Sequence, residues 1–215
     1  MIDWEWITDQ GDQIWERTVE HVTLTVIAVV VGLLVSALLA LVALRNKRTY
    51  APITWTSGVL YTIPSIALFV LLVPFTGLSL LTAEIGLVSY TLLILVRNIV
   101  AGIDGVSPSV VEAARGVGYT DRGILRRVQI PLALPVIVAG IRVAAVTTVG
   151  LVTVTFIVGY GGYGFFIRRG LARDFPTEIL LGVALSALLA VVVDLSLVAA
   201  ERALTPWARS KATEE

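Results

Sequence analysis

From Val22 to Leu44 the chain runs without a single charged side chain. About 20 such residues suffice for an α-helix to cross the ~30 Å hydrocarbon layer of a bilayer, and a helix apolar all the way round has no polar face to turn to water. A charge near mid-bilayer costs about 2.5–3.5 kcal/mol on insertion scales, so charge-poor runs mark further spans. A second lies at about 53–73, within the charge-free stretch from Thr49 to Ala83, and a third at about 85–101 with Arg97 near one end. The fourth, about 133–158, tolerates Arg142, and the fifth, about 179–200, tolerates Asp194. Composition fits one membrane domain and excludes an ordinary soluble enzyme: 57% of the 215 residues are hydrophobic, 15% are charged, and mean hydropathy is +0.89. Sixteen Lys+Arg balance sixteen Asp+Glu, so nothing favours nucleic acid as a partner, and zero cysteines remove disulfides and thiolate chemistry. The expected fold class is an all-α membrane protein of five transmembrane helices lying in a lipid bilayer.

Lys and Arg collect on the cytoplasmic side of membrane proteins. With the N-terminus outside, eleven fall inside: Arg45, Lys47, Arg48, Arg97, Arg115, Arg122, Arg126, Arg127, Arg202, Arg209 and Lys211. Four fall outside, Arg17, Arg168, Arg169 and Arg173, and the last three are offset only by nearby Asp174 and Glu178. Residues 1–21 read as an extracytoplasmic leader and 207–215 as a cytoplasmic tail. A cleavable signal would need a basic start and a short apolar core, whereas this leader holds Asp3, Glu5, Asp9, Asp12, Glu16 and Glu20. Trp4, Trp6 and Trp15 read as interfacial anchors, and His21, the only histidine, as an interface residue with no partner for metal binding.

The long inside loop, 102–132, carries the functional information. Ser107-Pro108 can open a short helix, Ser109 to Glu112 reads as a capping box, and Gly116 and Gly118 stop the helix. Val110, Ala114 and Val117 make an apolar stripe too small for a core and suited to a partner's groove. Thr120 can cap a second helix, which Pro131 and Pro135 are expected to end before the membrane.

Glu112-Ala113-Ala114, Gly118 after three intervening residues, and Val128-Gln129-Ile130-Pro131 resemble the EAA loop of ATP-binding-cassette importer permeases. The resemblance spans about Val22 to Pro206 and includes Tyr61-Thr62-Ile63-Pro64-Ser65, Ala139-Gly140-Ile141-Arg142 and Leu204-Thr205-Pro206. It is closest to the osmoprotectant branch, which imports glycine betaine, carnitine, choline and similar quaternary amines; a methionine-importing branch with compact five-span subunits is the alternative. It implies the type I importer permease architecture, a prokaryotic plasma-membrane location, and an ATPase-coupling role for Glu112, Ala113, Ala114, Gly118, Ile130 and Pro131. It further implies separate ABC ATPase subunits, a second permease subunit, identical or homologous, and an extracytoplasmic substrate-binding protein. No G-x-x-x-x-G-K-[ST] phosphate loop occurs, so ATP hydrolysis by that route is not expected in this chain. No catalytic residue, metal or cofactor is expected either.

Arg142 and Asp194, ionisable groups inside spans, should pair as a packing element of the bundle or line a path. The run Gly159, Tyr160, Gly161, Gly162, Tyr163, Gly164 at the outer mouth reads as a tight re-entry turn, with an aromatic surface for a quaternary ammonium as the other reading. A gradient-driven secondary transporter is the rival class; it would want internal repeats and more embedded charges than these.

Overall fold

The computed structural model describes residues 2–208. Ten α-helices, with short 3-10 turns and one π turn, account for nearly all of that chain, and no strand occurs among the described residues. They are α1 (Trp4–Asp9), α2 (Gly11–Arg45), α3 (Tyr50–Thr62), α4 (Ser65–Thr76), α5 (Leu80–Asp104), α6 (Pro108–Gly116), α7 (Asp121–Ile124), α8 (Ile130–Val152), α9 (Gly164–Arg173) and α10 (Pro176–Leu204). The part of the expected tail from residue 209 onward, with Arg209 and Lys211, lies outside the described residues.

Local chemistry sets several of these boundaries. Asp3 caps α1 by accepting from the Trp6 N–H at 3.0 Å, and Ser79 caps α5 by accepting from Thr82 N–H at 3.2 Å. Asp174, with φ 51°, is the one described non-glycine residue with positive φ, and it turns the chain between α9 and α10. Pro176 then opens α10, where its missing N–H costs nothing.

α5 is the central element. Half of its most apolar stretch is buried inside the chain, against 6% for α10. It packs on α2 and α8, with α3 and α4 against its other faces. Close approach rests on small residues: a Cβ at Gly32 would overlap the Thr91 side chain, and one at Gly140 would overlap Asn98. That is the means by which membrane helices gain van der Waals contact where lipid removes the hydrophobic drive between them. Two clusters fill the interior, one around Leu24, Phe69, Leu87 and Val152, the other around Ala40, Val96, Ile99 and Ala133.

Four spans are set by α2, α5, the continuous Asp121–Val152 helix and α10, with the α3–α4 pair as the fifth. Their bounds depart from the sequence expectation in five places. The first long helix starts at Gly11, inside the expected leader. The second span is broken: α3 and α4 meet at 100° around Ile63-Pro64, where Tyr90 Oη donates to the Ile63 carbonyl. The third begins at Leu80, not 85, and so takes Glu84 into the membrane helix. The fourth runs without interruption out of the expected loop, because a π turn over Leu125–Gln129 absorbs the N–H that Pro131 lacks; Ile130 N–H bonds to the Leu125 carbonyl, and Pro135 sits inside α8. It ends at Val152, beyond which the chain turns away through Thr155–Val158.

Candidate functional site

α6 follows α5 and precedes α7, packs on α7 and the π turn, and leaves most of its residues exposed. Glu112 and Ala113 are exposed, Ala114 is buried, and Val110 and Val117 are 40% and 75% exposed. The apolar stripe is thus largely unused by this chain. Gly118 has φ +91°, and the turn closes with Tyr119 N–H to the Ala114 carbonyl (3.1 Å) and Gly118 N–H to the Arg115 carbonyl (3.0 Å). Arg115 reaches Asp121 at 3.1 Å across that turn. Beside it, Arg122, Arg126 and Arg127 rim an open cup of about 570 Å³ with Gly118 and Tyr119. The expected capping box does not form: the helix starts at Pro108, Ser107 is its N-cap and makes no capping bond, and Ser109 bonds Ser107 instead. Glu112 therefore sits in the second turn, free of any local capping task. Ile130 and Pro131 open α8 just past the π turn, with Ile130 exposed.

Arg142 and Asp194 meet between α8 and α10. The guanidinium is bidentate, with Nε to Oδ1 at 3.0 Å and Nη2 to Oδ2 at 3.2 Å, and its Nη1 also reaches Glu201 Oε2 at 3.4 Å. Glu201 was missed in the sequence because it falls just past the expected span; its spacing of seven from Asp194 puts it on the same helix face. A second miss is Glu84. Ser79, a good N-cap ahead of Leu80, was the signal that the helix starts early enough to include it.

The glycine run forms a turn locked to α2. Gly159 and Gly162 have φ 92° and 48°, Gly161 N–H donates to Glu20 Oε1 at 2.9 Å, and Tyr163 Oη donates to Thr18 Oγ1 at 2.9 Å. His21 is fully buried within the chain: its Nδ1 accepts from Tyr163 N–H at 3.2 Å, so its Nε2 carries the proton and donates to the Val149 carbonyl at 2.9 Å. The Tyr163 ring lies 4.7 Å from the imidazole, and Tyr160 packs on the core. Tyr163 is buried and Tyr160 half-buried, while Gly164 opens α9, whose amphipathic pattern escaped the sequence reading. On that helix Arg169 pairs with buried Glu178 and stacks over Phe165 at 4.7 Å, which absorbs one of the three positive charges placed outside. Trp6 packs edge-on against Phe175 at 5.1 Å, whereas Trp4 and Trp15 are exposed.

A multi-pass bundle of apolar helices, with the short exposed helix α6 between its third and fourth spans, defines an all-α membrane protein. The chain belongs to the family of binding-protein-dependent transport system inner membrane components, whose model matches residues 22–210. It is 35% identical over 202 residues to the choline transport system permease protein OpuBB of Bacillus subtilis, covering 94% of this chain and 93% of that one. The glycine betaine/carnitine/choline transport system permease protein OpuCB of the same organism is 33% identical (91% and 90% covered), and the osmoprotectant import permease protein OsmW of Salmonella typhimurium 34% identical (94% and 96% covered). Two solved structures share the fold with TM-scores of 0.75: the MetNI methionine ABC transporter in an inward-facing conformation, 22% identical over 95% of this chain and 100% of that one, and an amino acid ABC transporter, 19% identical over 94% and 99%.

Proposed function

We propose that this chain is the membrane-spanning permease subunit of an ATP-driven importer for quaternary amine osmoprotectants such as glycine betaine, carnitine or choline. The observation that carries this reading is end-to-end similarity to relatives named for that cargo, at 33–35% identity with 90% or more of both chains aligned. The amino-acid importers are alike at 22% and 19% identity, a likeness of fold alone. The exposed stripe of α6 supports a coupling role: Val110 and Val117 dock in a groove of a separate ATPase subunit, Glu112 and Ala113 contact its surface, Ala114 anchors the helix, and the Gly118 turn with Ile130 and Pro131 passes its motion into α8. Two permease chains, identical or homologous, enclose the path, and an extracytoplasmic binding protein delivers cargo. The α6 end lies in the cytoplasm and the N-terminus outside, a reading the charge bias supports, and the membrane is a prokaryotic plasma membrane, as the bacterial sources of the relatives suggest.

The test is co-purification of the tagged chain from native membranes in mild detergent, beside Glu112→Lys, with ATPase assay and identification of every co-eluting chain. An ATPase that accompanies the wild type and is lost or uncoupled in the variant supports the reading. A wild-type chain that elutes alone, under conditions that keep a known importer whole, sinks it.

A further inference from the structure

Arg45 at the end of α2, Arg122 in α7, and Arg126 and Arg127 in the π turn are exposed, and none of the four makes an ion pair among the described residues. Two hollows meet at Arg122. One is the cup of about 570 Å³ that it shares with Arg126 and Arg127; the other is a cleft of about 430 Å³ between the ends of α2 and α5 and the start of α7, lined by Leu41, Leu44, Ile103 and Leu125 beside Arg45. The two acidic side chains of that cleft are already taken, Asp104 by Lys47 at 2.5 Å and Asp121 by Arg115 at 3.1 Å, so its free charge is positive.

The height of these arginines follows from the helices that carry them. The charge-free run of α2 ends at Arg45, and the apolar run of α8 begins at Ile130, three residues past Arg127. The guanidiniums therefore stand where two spanning helices leave the hydrocarbon, at the level of lipid phosphates. Beneath Arg45, Leu41, Leu38 and Leu34 follow at four, three and four residues and so share one face of α2, with Leu38 and Leu34 66% and 62% exposed. A soluble anion would use the arginines and leave this stripe idle, and an acidic protein surface docking from the aqueous side would not reach down it. A phospholipid with a net negative headgroup uses both: the guanidinium forks match phosphate oxygens, and an acyl chain lies along the leucines. A headgroup that carries its own cation, such as phosphocholine, gains little from a cluster already positive.

We propose that the cleft between α2, α5 and α7 is a binding site for an anionic phospholipid, with Arg45 and Arg122 on its phosphate and the Leu34–Leu38–Leu41 face under its acyl chain. The site rests on the reading above only for its side of the membrane, the cytoplasmic leaflet, where anionic lipid gives the surface its negative potential.

The test titrates the complete, delipidated importer in detergent with phosphatidylglycerol and, separately, with phosphatidylcholine, and counts bound lipid by native mass spectrometry. Phosphatidylglycerol should bind about tenfold or more tightly than phosphatidylcholine. Arg45→Gln with Arg122→Gln should remove most of that preference, whereas Arg168→Gln with Arg173→Gln, which takes the same charge from exposed residues of α9, should leave it intact. Equal affinity for the two lipids, or a preference weakened alike by both double variants, overturns the proposal. Displacement of the lipid by glycerol phosphate at equal concentration also overturns it, since the site would then serve soluble anions. A preference unchanged in Arg45→Gln with Arg122→Gln overturns it as well, and loss of the co-eluting ATPase from that variant would then assign the arginines to a protein contact. These readouts do not involve cargo: an importer that moves no quaternary amine sinks the function reading and leaves the lipid site standing, and failure of the lipid site leaves the osmoprotectant reading untouched.

Discussion

Arg142 holds two carboxylates, and that stoichiometry decides how substitutions there behave. With Arg142 30% exposed and Asp194 37%, the pair is only partly buried within the chain, so its loss costs about 1–3 kcal/mol rather than the ~3–5 kcal/mol of a fully buried one. Arg142→Ala should lower the thermal midpoint of the detergent-solubilised protein and reduce uptake. The charge swap Arg142→Asp with Asp194→Arg should recover little, because Glu201 then meets a like charge; adding Glu201→Gln should restore stability. A full recovery by the swap alone would show that Glu201 plays no part. Gly118 is constrained differently. Its φ of +91° is strained for any side chain, and a β-branched residue there costs of order 1–3 kcal/mol locally. Gly118→Val should insert normally in the membrane yet support no uptake, and normal transport by that variant would remove the turn from the coupling path.

At the scale of the element, the broken second span differs most from what hydropathy indicates. A sliding count of apolar residues sees one run, because neither Ile63 nor Pro64 interrupts it with charge. The break needs a proline to forbid the helix and a partner for the carbonyl it frees, and Tyr90, twenty-seven residues away in sequence, supplies that partner. Tyr90→Phe should therefore destabilise the protein by about 1–2 kcal/mol through the orphaned Ile63 carbonyl, measured as a lower midpoint in detergent, whereas an unchanged midpoint would mean that water or lipid headgroups satisfy it. The π turn before α8 teaches the opposite lesson. Pro131 and Pro135 read as stops, but one extra residue per turn lets the helix carry on, so α7 and α8 form a single lever from the α6 contact to the membrane interior.

For the whole molecule, α10 packs on α8 and α9 and is pinned by ion pairs at both ends, Arg169 to Glu178 at one and Arg142 to Asp194 and Glu201 at the other, with only 6% of its most apolar stretch buried. Its outer face is left to lipid or to a second permease. Orientation is testable in the chain's own cysteine-free background. Ser109→Cys on the exposed surface of α6 should react with an impermeant maleimide only in inside-out vesicles, and Ala172→Cys on α9 only in right-side-out ones. The reverse pattern would invert the topology and with it the assignment of α6 to the ATPase side.

Charge placement and residue types by themselves determined the class of the protein: where apolar runs of membrane-crossing length lie, that the long polar loop separates them, and which motif that loop carries. These are local properties, since insertion cost and helix length depend on residues adjacent in sequence. Arg142 and Asp194 were legible as a pair because embedded charges have few other ways to exist. What only the tertiary structure decided is everything set by distant partners: that His21 is buried by Tyr163 and Val149, that Glu201 joins the Arg142 pair, that Pro64 breaks a span while Pro131 does not, and that Glu84, read as lying outside the third span, stands unpaired within it. In each case the outcome turns on whether a freed or charged group finds a partner across the bundle, and no window along the chain contains that partner.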